Sequence, residues 1–217
     1  MVNKGTILLV DGDAIVREGL TLLLSQHGLG RIESAGSLTE ARGAIQRWRP
    51  DVVVLDLFLG HQSSLNLVKT IRQEHPKLKV LMLSMQDEAI YAERCLLAGA
   101  MGYIMKSAGH LRIVEGIRQV RAGKTFVSEV IRDRLWRHAI AQPEGGLAQP
   151  EERLTDRELE VYRLIGQGLA TRQIAKTFSV SAKTIQTYRN FIKNKLEIAT
   201  AAELVHRAVL WVKEHHP

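Results

Sequence analysis

Two periodicities divide the chain. From its start to about Lys124, short apolar runs alternate with longer stretches in which apolar residues recur every three or four positions. The runs Thr6–Val10, Arg31–Ser34, Val52–Asp56, Val80–Leu83 and Gly102–Met105 read as strands. The patterns near Ala14–Gln26, Leu38–Trp48, Leu65–His75, Glu88–Ala98 and His110–Ala122 predict helices between and after them. Five such alternations with small connections predict a flavodoxin-like (βα)5 doubly wound α/β domain. Its clearest strand lies within Asp51–Asp56, where three valines and a leucine follow one another, the pattern of a strand covered on both faces.

After Lys124 the pattern changes. Val127–Ala141 places Ile131, Leu135 and Ala139 four residues apart, as an amphipathic linker helix would. Gln142–Glu152 then breaks every period with Pro143, Gly145, Gly146 and Pro150, which predicts a flexible linker and a domain boundary. The rest is wholly helical. Thr155 and Glu158 form a capping box, with Leu154 and Leu159 placed as its hydrophobic staple. That helix is expected to stop near Gly168. Thr171 is expected to cap a second helix carrying Ile174, Ala175 and Phe178, and Ser181 a third running to Leu196. Thr200 and Glu203 start a last helix with Leu204, Val205, Ala208 and Val212 facing inward. The second and third helices, joined by a three- or four-residue turn, have the helix-turn-helix arrangement. The expected division is 1–124 for the α/β domain, 125–153 for the linker helix and flexible linker, and 154–217 for the all-α domain.

Composition narrows the class. The 217 residues are 45% hydrophobic and 24% charged, ordinary for a globular chain that fills a core. No apolar run approaches the roughly 18 residues of a membrane helix, so no membrane association is expected. The run Thr6–Val10 is too short for a signal peptide's apolar core and leads into acids. The single cysteine, Cys95, excludes an internal disulfide and, in its apolar setting, reads as a buried structural thiol. A cytoplasmic protein is the expectation. A net charge of +7 suggests an anionic partner.

The charge is unevenly placed. Val161–Leu196 contains Arg163, Arg172, Lys176, Lys183, Arg189, Lys193 and Lys195 but no acid. On the third helix Ile185, Tyr188, Ile192 and Leu196 share one face, while Lys183, Gln186, Thr187, Asn190 and Asn194 share the other. A polar stripe alone is usually a solvated face. On the second helix of a helix-turn-helix, in an acid-free stretch, it points to double-stranded DNA.

A second constellation gathers in the α/β domain. A buried strand ending in an acid brings that acid to the sheet edge where ligands collect. Asp56 sits at such an end, Asp11 and Asp13 follow the first strand, Ser84 follows the fourth and Lys106 the fifth. Singly, each is a common loop residue. Together they suit phosphoryl chemistry: an acid as nucleophile, a lysine to pair with phosphate, a hydroxyl donor, and carboxylates for Mg²⁺.

Both constellations resemble known families. Leu154–Val161, Gly168–Ala175 and Val180–Arg189 resemble the LuxR-type helix-turn-helix over about 60 residues. Ile7–Asp11, Val53–Leu57, Val80–Ser84 and Ala98–Lys106 resemble a receiver domain over roughly residues 4–123. The whole chain thus resembles a response regulator of the NarL/FixJ class. That resemblance implies phosphorylation of Asp56 by a sensor histidine kinase, and Ser84 and Tyr103 shifting with it to alter the surface around the fourth helix and fifth strand. It also implies a homodimer on palindromic double-stranded DNA, with RNA polymerase as a further partner. Lys183, Gln186, Thr187 and Asn190 would face bases, and Arg172, Thr184, Arg189 and Lys193 would meet phosphates. Tyr188 replaces a histidine common there. Metal ligands would be Asp11, Asp56 and the backbone carbonyl of Phe58.

The sequence departs from the receiver pattern twice. The second of two adjacent acids after the first strand is Gly12, and the loop after Asp56 reads Phe58–Ser64 without the usual proline. Asp13 could replace the missing acid only if the loop bends, because one residue's shift in extended chain reverses a side chain's face. Asp11, Asp56 and Lys106 leave a residual charge near −1, so weakened Mg²⁺ binding is expected. An atypical receiver that regulates DNA binding without phosphorylation therefore stands as an alternative. A rival from another class is a haloacid-dehalogenase-like phosphatase using Asp11 and Asp13.

Overall fold

A computed structural model of the chain describes residues 5–140 and 150–215, which fall into two compact units divided between Ala139 and Ile140. The first unit contains β1 (Thr6–Val10), α1 (Ala14–Gln26), β2 (Arg31–Ala35), α2 (Leu38–Trp48), β3 (Val52–Leu55), β4 (Phe58–Leu59), β5 (Gln62–Ser63), α3 (Leu65–Glu74), β6 (Lys79–Ser84), α4 (Glu88–Ala98), β7 (Gly102–Met105), α5 (His110–Arg121) and α6 (Glu129–Ile140). Five strands pair in parallel in the order β2-β1-β3-β6-β7. The order reverses at β1 and β3, so the crevice at their carboxyl ends is the switch point of a doubly wound sheet. The two-stranded hairpin β4–β5 was not expected, and fills the loop after Asp56.

Alternation along each strand builds two cores. Ile7, Leu9, Val52, Val54, Leu81, Leu83 and Ile104 bury one face together with Leu24, Ile113, Ile117 and Val120 of α1 and α5. Leu8, Val10, Val53, Leu55 and Met82 are buried on the other. Strands closed in on both sides explain the unbroken apolar run of β3. Cys95 is buried as a free thiol. Beyond α5 the chain returns beside β7: Phe126 bridges Gly102 and its carbonyl accepts the Tyr103 N–H at 3.0 Å. A Cβ at Gly102 would lie 2.6 Å from the Phe126 carbonyl oxygen, so this close approach requires glycine. Of the expected linker-helix face, Ile131 is buried and Leu135 half-buried, while the Ala139 side chain lies outside the described residues.

The second unit holds a 3₁₀ turn at Pro150–Arg153, then α7 (Asp156–Gly166), α8 (Thr171–Phe178), α9 (Ala182–Lys195) and α10 (Ala201–His215). The expected linker residues 142–149 lie outside the described residues. Thr155 and Glu158 form the reciprocal capping box of α7, and Leu154 and Leu159 are buried beside it. The helix ends in a Schellman arrangement: Gly168, at φ 84°, donates to Ile165, and Leu169 donates to Leu164. Two expectations are corrected. Thr171 is the first residue of α8 rather than its cap, which is Ala170, whose N–H is satisfied by Gln173 Oε1 at 2.8 Å. The inward face of α10 is Leu204, Ala208 and Trp211, with Val212 half-buried against Gly166 and Val205 exposed. Trp211 lies against Tyr162, ring centroids 5.5 Å apart, on the stripe that Leu204 and Ala208 define.

Candidate functional site

The sheet order sets the first site. The carboxyl ends of β1 and β3 are neighbours, so Asp11 and Asp56, the residues just beyond them, lie side by side. β7 delivers Lys106 to the same edge. Its Nζ lies 2.5 Å from Asp11 Oδ2 and 2.6 Å from Asp56 Oδ2, so one ammonium spans both carboxylates. All three side chains are largely shielded from solvent. Burial pushes the Asp56 carboxyl above its ordinary range, an effect that the Lys106 charge only partly offsets. Burial opposes the charge on Lys106 as well, but its hydrogen bonds to Asp11 and Asp56 win and raise its pKa. The Phe58 N–H points at Asp56 Oδ1 from 3.4 Å, and the Asp56 carbonyl accepts the Ser64 hydroxyl at 2.7 Å.

Asp13 is a correction. Its Oδ1 accepts the Ile15 N–H at 2.8 Å as the cap of α1, while its own N–H donates to Asp11 Oδ1 at 2.9 Å. The exposed carboxylate of Asp13 starts a helix; it does not join Asp11 and Asp56 around Lys106. Nor does the backbone at Gly12 adopt the left-handed bend that bringing Asp13 inward would need. Among the described residues no group of three or more His, Cys, Asp or Glu side chains is arranged to hold a metal ion. The remaining donors, two carboxylates already sharing one ammonium, fit a divalent cation less well than a three-acid set.

Ser84 and Tyr103 flank the loop between β6 and α4. Ser84 is fully buried and its hydroxyl accepts the Gln86 N–H at 3.2 Å. The Tyr103 ring is buried in β7, and its hydroxyl donates to the Gln86 carbonyl at 2.9 Å. Burial pushes the Tyr103 hydroxyl pKa well above its ordinary value, which keeps it a neutral donor. Arg17, which sequence reasoning did not single out, donates from NH1 to the Asp11 carbonyl at 2.7 Å and braces the end of β1. Nothing in its helical spacing advertises this.

The second site is α9. Ile185, Ile192 and Leu196 are buried, and Tyr188 half-buried. Lys183, Gln186, Thr187, Asn190 and Asn194 are exposed on the other side, as is Arg172 on α8. Thr184, Arg189 and Lys193 are half-buried. The Thr184 hydroxyl is 2.8 Å from that of Ser181, the cap of the helix, and Lys193 Nζ donates to the Ala199 carbonyl at 3.3 Å. Burial lowers the Arg189 pKa. Two features escaped the sequence. Phe191 is 49% exposed beside Asn190. Lys195 pairs at 2.6 Å with the buried Glu158 of α7, tying the helix to the scaffold.

Comparison with known proteins assigns each unit to a family. The model of the response regulator receiver domain matches residues 7–118, and that of bacterial regulatory proteins of the luxR family matches residues 152–208. The transcriptional activator protein ExaE of Pseudomonas putida is 35% identical over 208 residues, covering 94% of this chain and 95% of that protein. The oxygen regulatory protein NreC of Staphylococcus epidermidis is 31% identical over 209 residues, covering 94% and 96%. Among solved structures, RcsB of Salmonella enterica bound to promoter rprA with a phosphomimetic superposes with a TM-score of 0.68 at 20% identity, over 93% of this chain and 96% of that one. A LuxR-family two-component response regulator from Aurantimonas aligns at 29% identity with a TM-score of 0.57, over 63% of this chain and 99% of its own.

Proposed function

The chain belongs to the response regulators, as a receiver domain joined to a LuxR-type DNA-binding domain, and from that premise we propose that phosphorylation of Asp56 by a sensor histidine kinase controls its pairing on double-stranded DNA. Such a protein is a DNA-binding transcription regulator rather than an enzyme, so the phosphatase reading of Asp11 and Asp13 falls away. We take residues 1–124 as the receiver, 125–153 as linker helix and linker, and 154–217 as the DNA-binding domain, working in the cytoplasm. No helix among the described residues is long and apolar enough to cross a membrane.

One observation carries the reading: a shielded carboxylate at the end of β3 in contact with Lys106. Asp56 Oδ attacks phosphorus in the kinase's phosphohistidine; the P–N bond breaks, imidazole leaves, and an acyl phosphate forms. Lys106 then stands beside the new phosphoryl oxygens and balances their charge. Mg²⁺, when bound, would neutralise those oxygens further; Asp11, Asp56 and the Phe58 carbonyl are the groups to hold it, weakly. Ser84 and Tyr103 follow the added group and shift the loop before α4, biasing a two-state equilibrium. In the DNA-binding domain, Lys183, Gln186, Thr187 and Asn190 read bases, and Arg172, Thr184, Arg189 and Lys193 meet phosphates. Pairing presents a second module at high effective concentration, and RNA polymerase is a further partner on the promoter.

A second reading draws on the same contact. Because Lys106 already bridges both carboxylates, one of the pocket's two negative charges is balanced without metal, as suits a receiver switched by another signal. Intact mass after incubation with acetyl phosphate and Mg²⁺ separates the two. One added phosphoryl group in the wild type and none in Asp56→Asn is expected; an unmodified wild type at high donor and metal favours the second reading.

A further inference from the structure

The helix that leads out of the receiver is seated on the loop that the switch residues hold. Ser128 caps α6 by accepting the Ile131 N–H at 3.2 Å, and its hydroxyl donates to Glu88 Oε1, in the first turn of α4, at 2.6 Å. One turn further along, Arg134 NH1 donates to the Ala89 carbonyl at 2.6 Å. Both contacts fall on the two residues that directly follow the loop Met85–Asp87. The same loop is held from inside by the Tyr103 hydroxyl on the Gln86 carbonyl and by Ser84 on the Gln86 N–H. Gln86 is thus fastened to the switch pair, and Glu88 and Ala89 are fastened to α6.

Two further observations make this seat readily shifted. Among the described residues of α6 Ile131 is buried and Leu135 half-buried, and these two apolar contacts with a few polar ones seat that part of the helix. Elements attached in this way are drawn from the low-stability end of a fold. Gln86 Oε1 is buried and accepts no hydrogen bond among the described residues. An acceptor with no protein donor adds nothing to hold the loop where it is.

We propose that α6 is the receiver's readout element: its seat on Glu88 and Ala89, made by Ser128 and Arg134, is thermodynamically coupled to the position of Gln86 and hence to Ser84 and Tyr103. A shift of the loop loosens α6, and the change passes along the chain into the linker. The inference rests on the reading of Ser84 and Tyr103 as the switch, but the coupling exists whether or not Asp56 accepts phosphate. It also runs both ways, because a coupling free energy between two sites is reciprocal.

Hydrogen exchange on the full chain, without phosphodonor, tests it. In Arg134→Ala, amides in the first turn of α4 should exchange about tenfold faster or more, the scale set by loss of at least one charge-assisted hydrogen bond, while those of β1 and β3 keep their rates. In Tyr103→Phe, which keeps the ring and loses the hydroxyl, amides of α6 should accelerate. Ser128→Ala gives a milder second probe of the same seat. Unchanged α4 exchange in both Arg134→Ala and Ser128→Ala, or unchanged α6 exchange in Tyr103→Phe, overturns the coupling. A wild-type chain that gains a phosphoryl group without any change in α6 exchange also overturns it, and leaves the phosphorylation reading intact.

Discussion

Lys106 decides what the acidic pocket can do. Its ammonium already satisfies one oxygen of Asp11 and one of Asp56, so an arriving cation competes with a resident one. Burial raises the pKa of Asp56 against the pull of Lys106, and the sign is informative: a fold that favours the protonated form loses stability as pH rises through that carboxyl's range. The pocket therefore holds its charged nucleophile at a cost. Gly12 is where the sequence lacks an acid, and the structure has room for one. A Cβ there would meet only Gly60 N at 3.9 Å and Leu59 Cδ2 at 4.0 Å, ordinary contacts, on a backbone that any residue adopts. Gly12→Asp should tighten Mg²⁺ binding about tenfold or more, since affinity follows the charge count of the ligands. Titration calorimetry measures it, and an unchanged constant would mean that the missing acid is not what weakens the site. That Asp11, Asp56 and Lys106 meet at one edge was legible because strand ends fix where the next residue goes. Asp13 was not, because an acid after a strand serves a helix cap or a pocket equally well, and only the direction of its side chain separates the two.

Among the elements, β3 and α9 were the most readable, since periods of two and of three to four residues decide which side chains are buried. The edges of that reading show its limits. α10 has Trp211 in the core and Val205 exposed, because Trp211 lies three residues from Ala208 and seven from Leu204 on the same stripe, whereas Val205 is about a quarter-turn away from it. The hairpin β4–β5 carries two residues in each strand, too few to leave a period. On α9, exposure separates two groups of polar residues: Lys183, Gln186, Thr187 and Asn190 stand free of the scaffold, while Arg189 and Lys193 lean into it. Arg172→Ala, on α8, should weaken binding to a selected operator and lower the slope of log affinity against log salt by about one, the signature of a lost phosphate contact. Fluorescence anisotropy across a salt series reads both, and an unchanged slope would take Arg172 off the phosphate backbone.

At the scale of the molecule, two units of different construction share one chain. The receiver is a parallel sheet with a charged crevice at its topological switch point, and the DNA-binding unit is a helix-turn-helix with a polar outer stripe. Neither explains the other. What joins them is the claim that chemistry at Asp56 alters the grip of α9 on DNA, with α6 as the first element to feel the change. The most direct measurement is the affinity of the full chain for a selected double-stranded operator, by fluorescence anisotropy, before and after treatment with acetyl phosphate and Mg²⁺. Wild type should bind about tenfold or more tightly once modified, as pairing raises effective concentration, while Asp56→Asn gives the same curve in both states. Identical wild-type curves, with the added phosphoryl group verified by mass, would contradict the account.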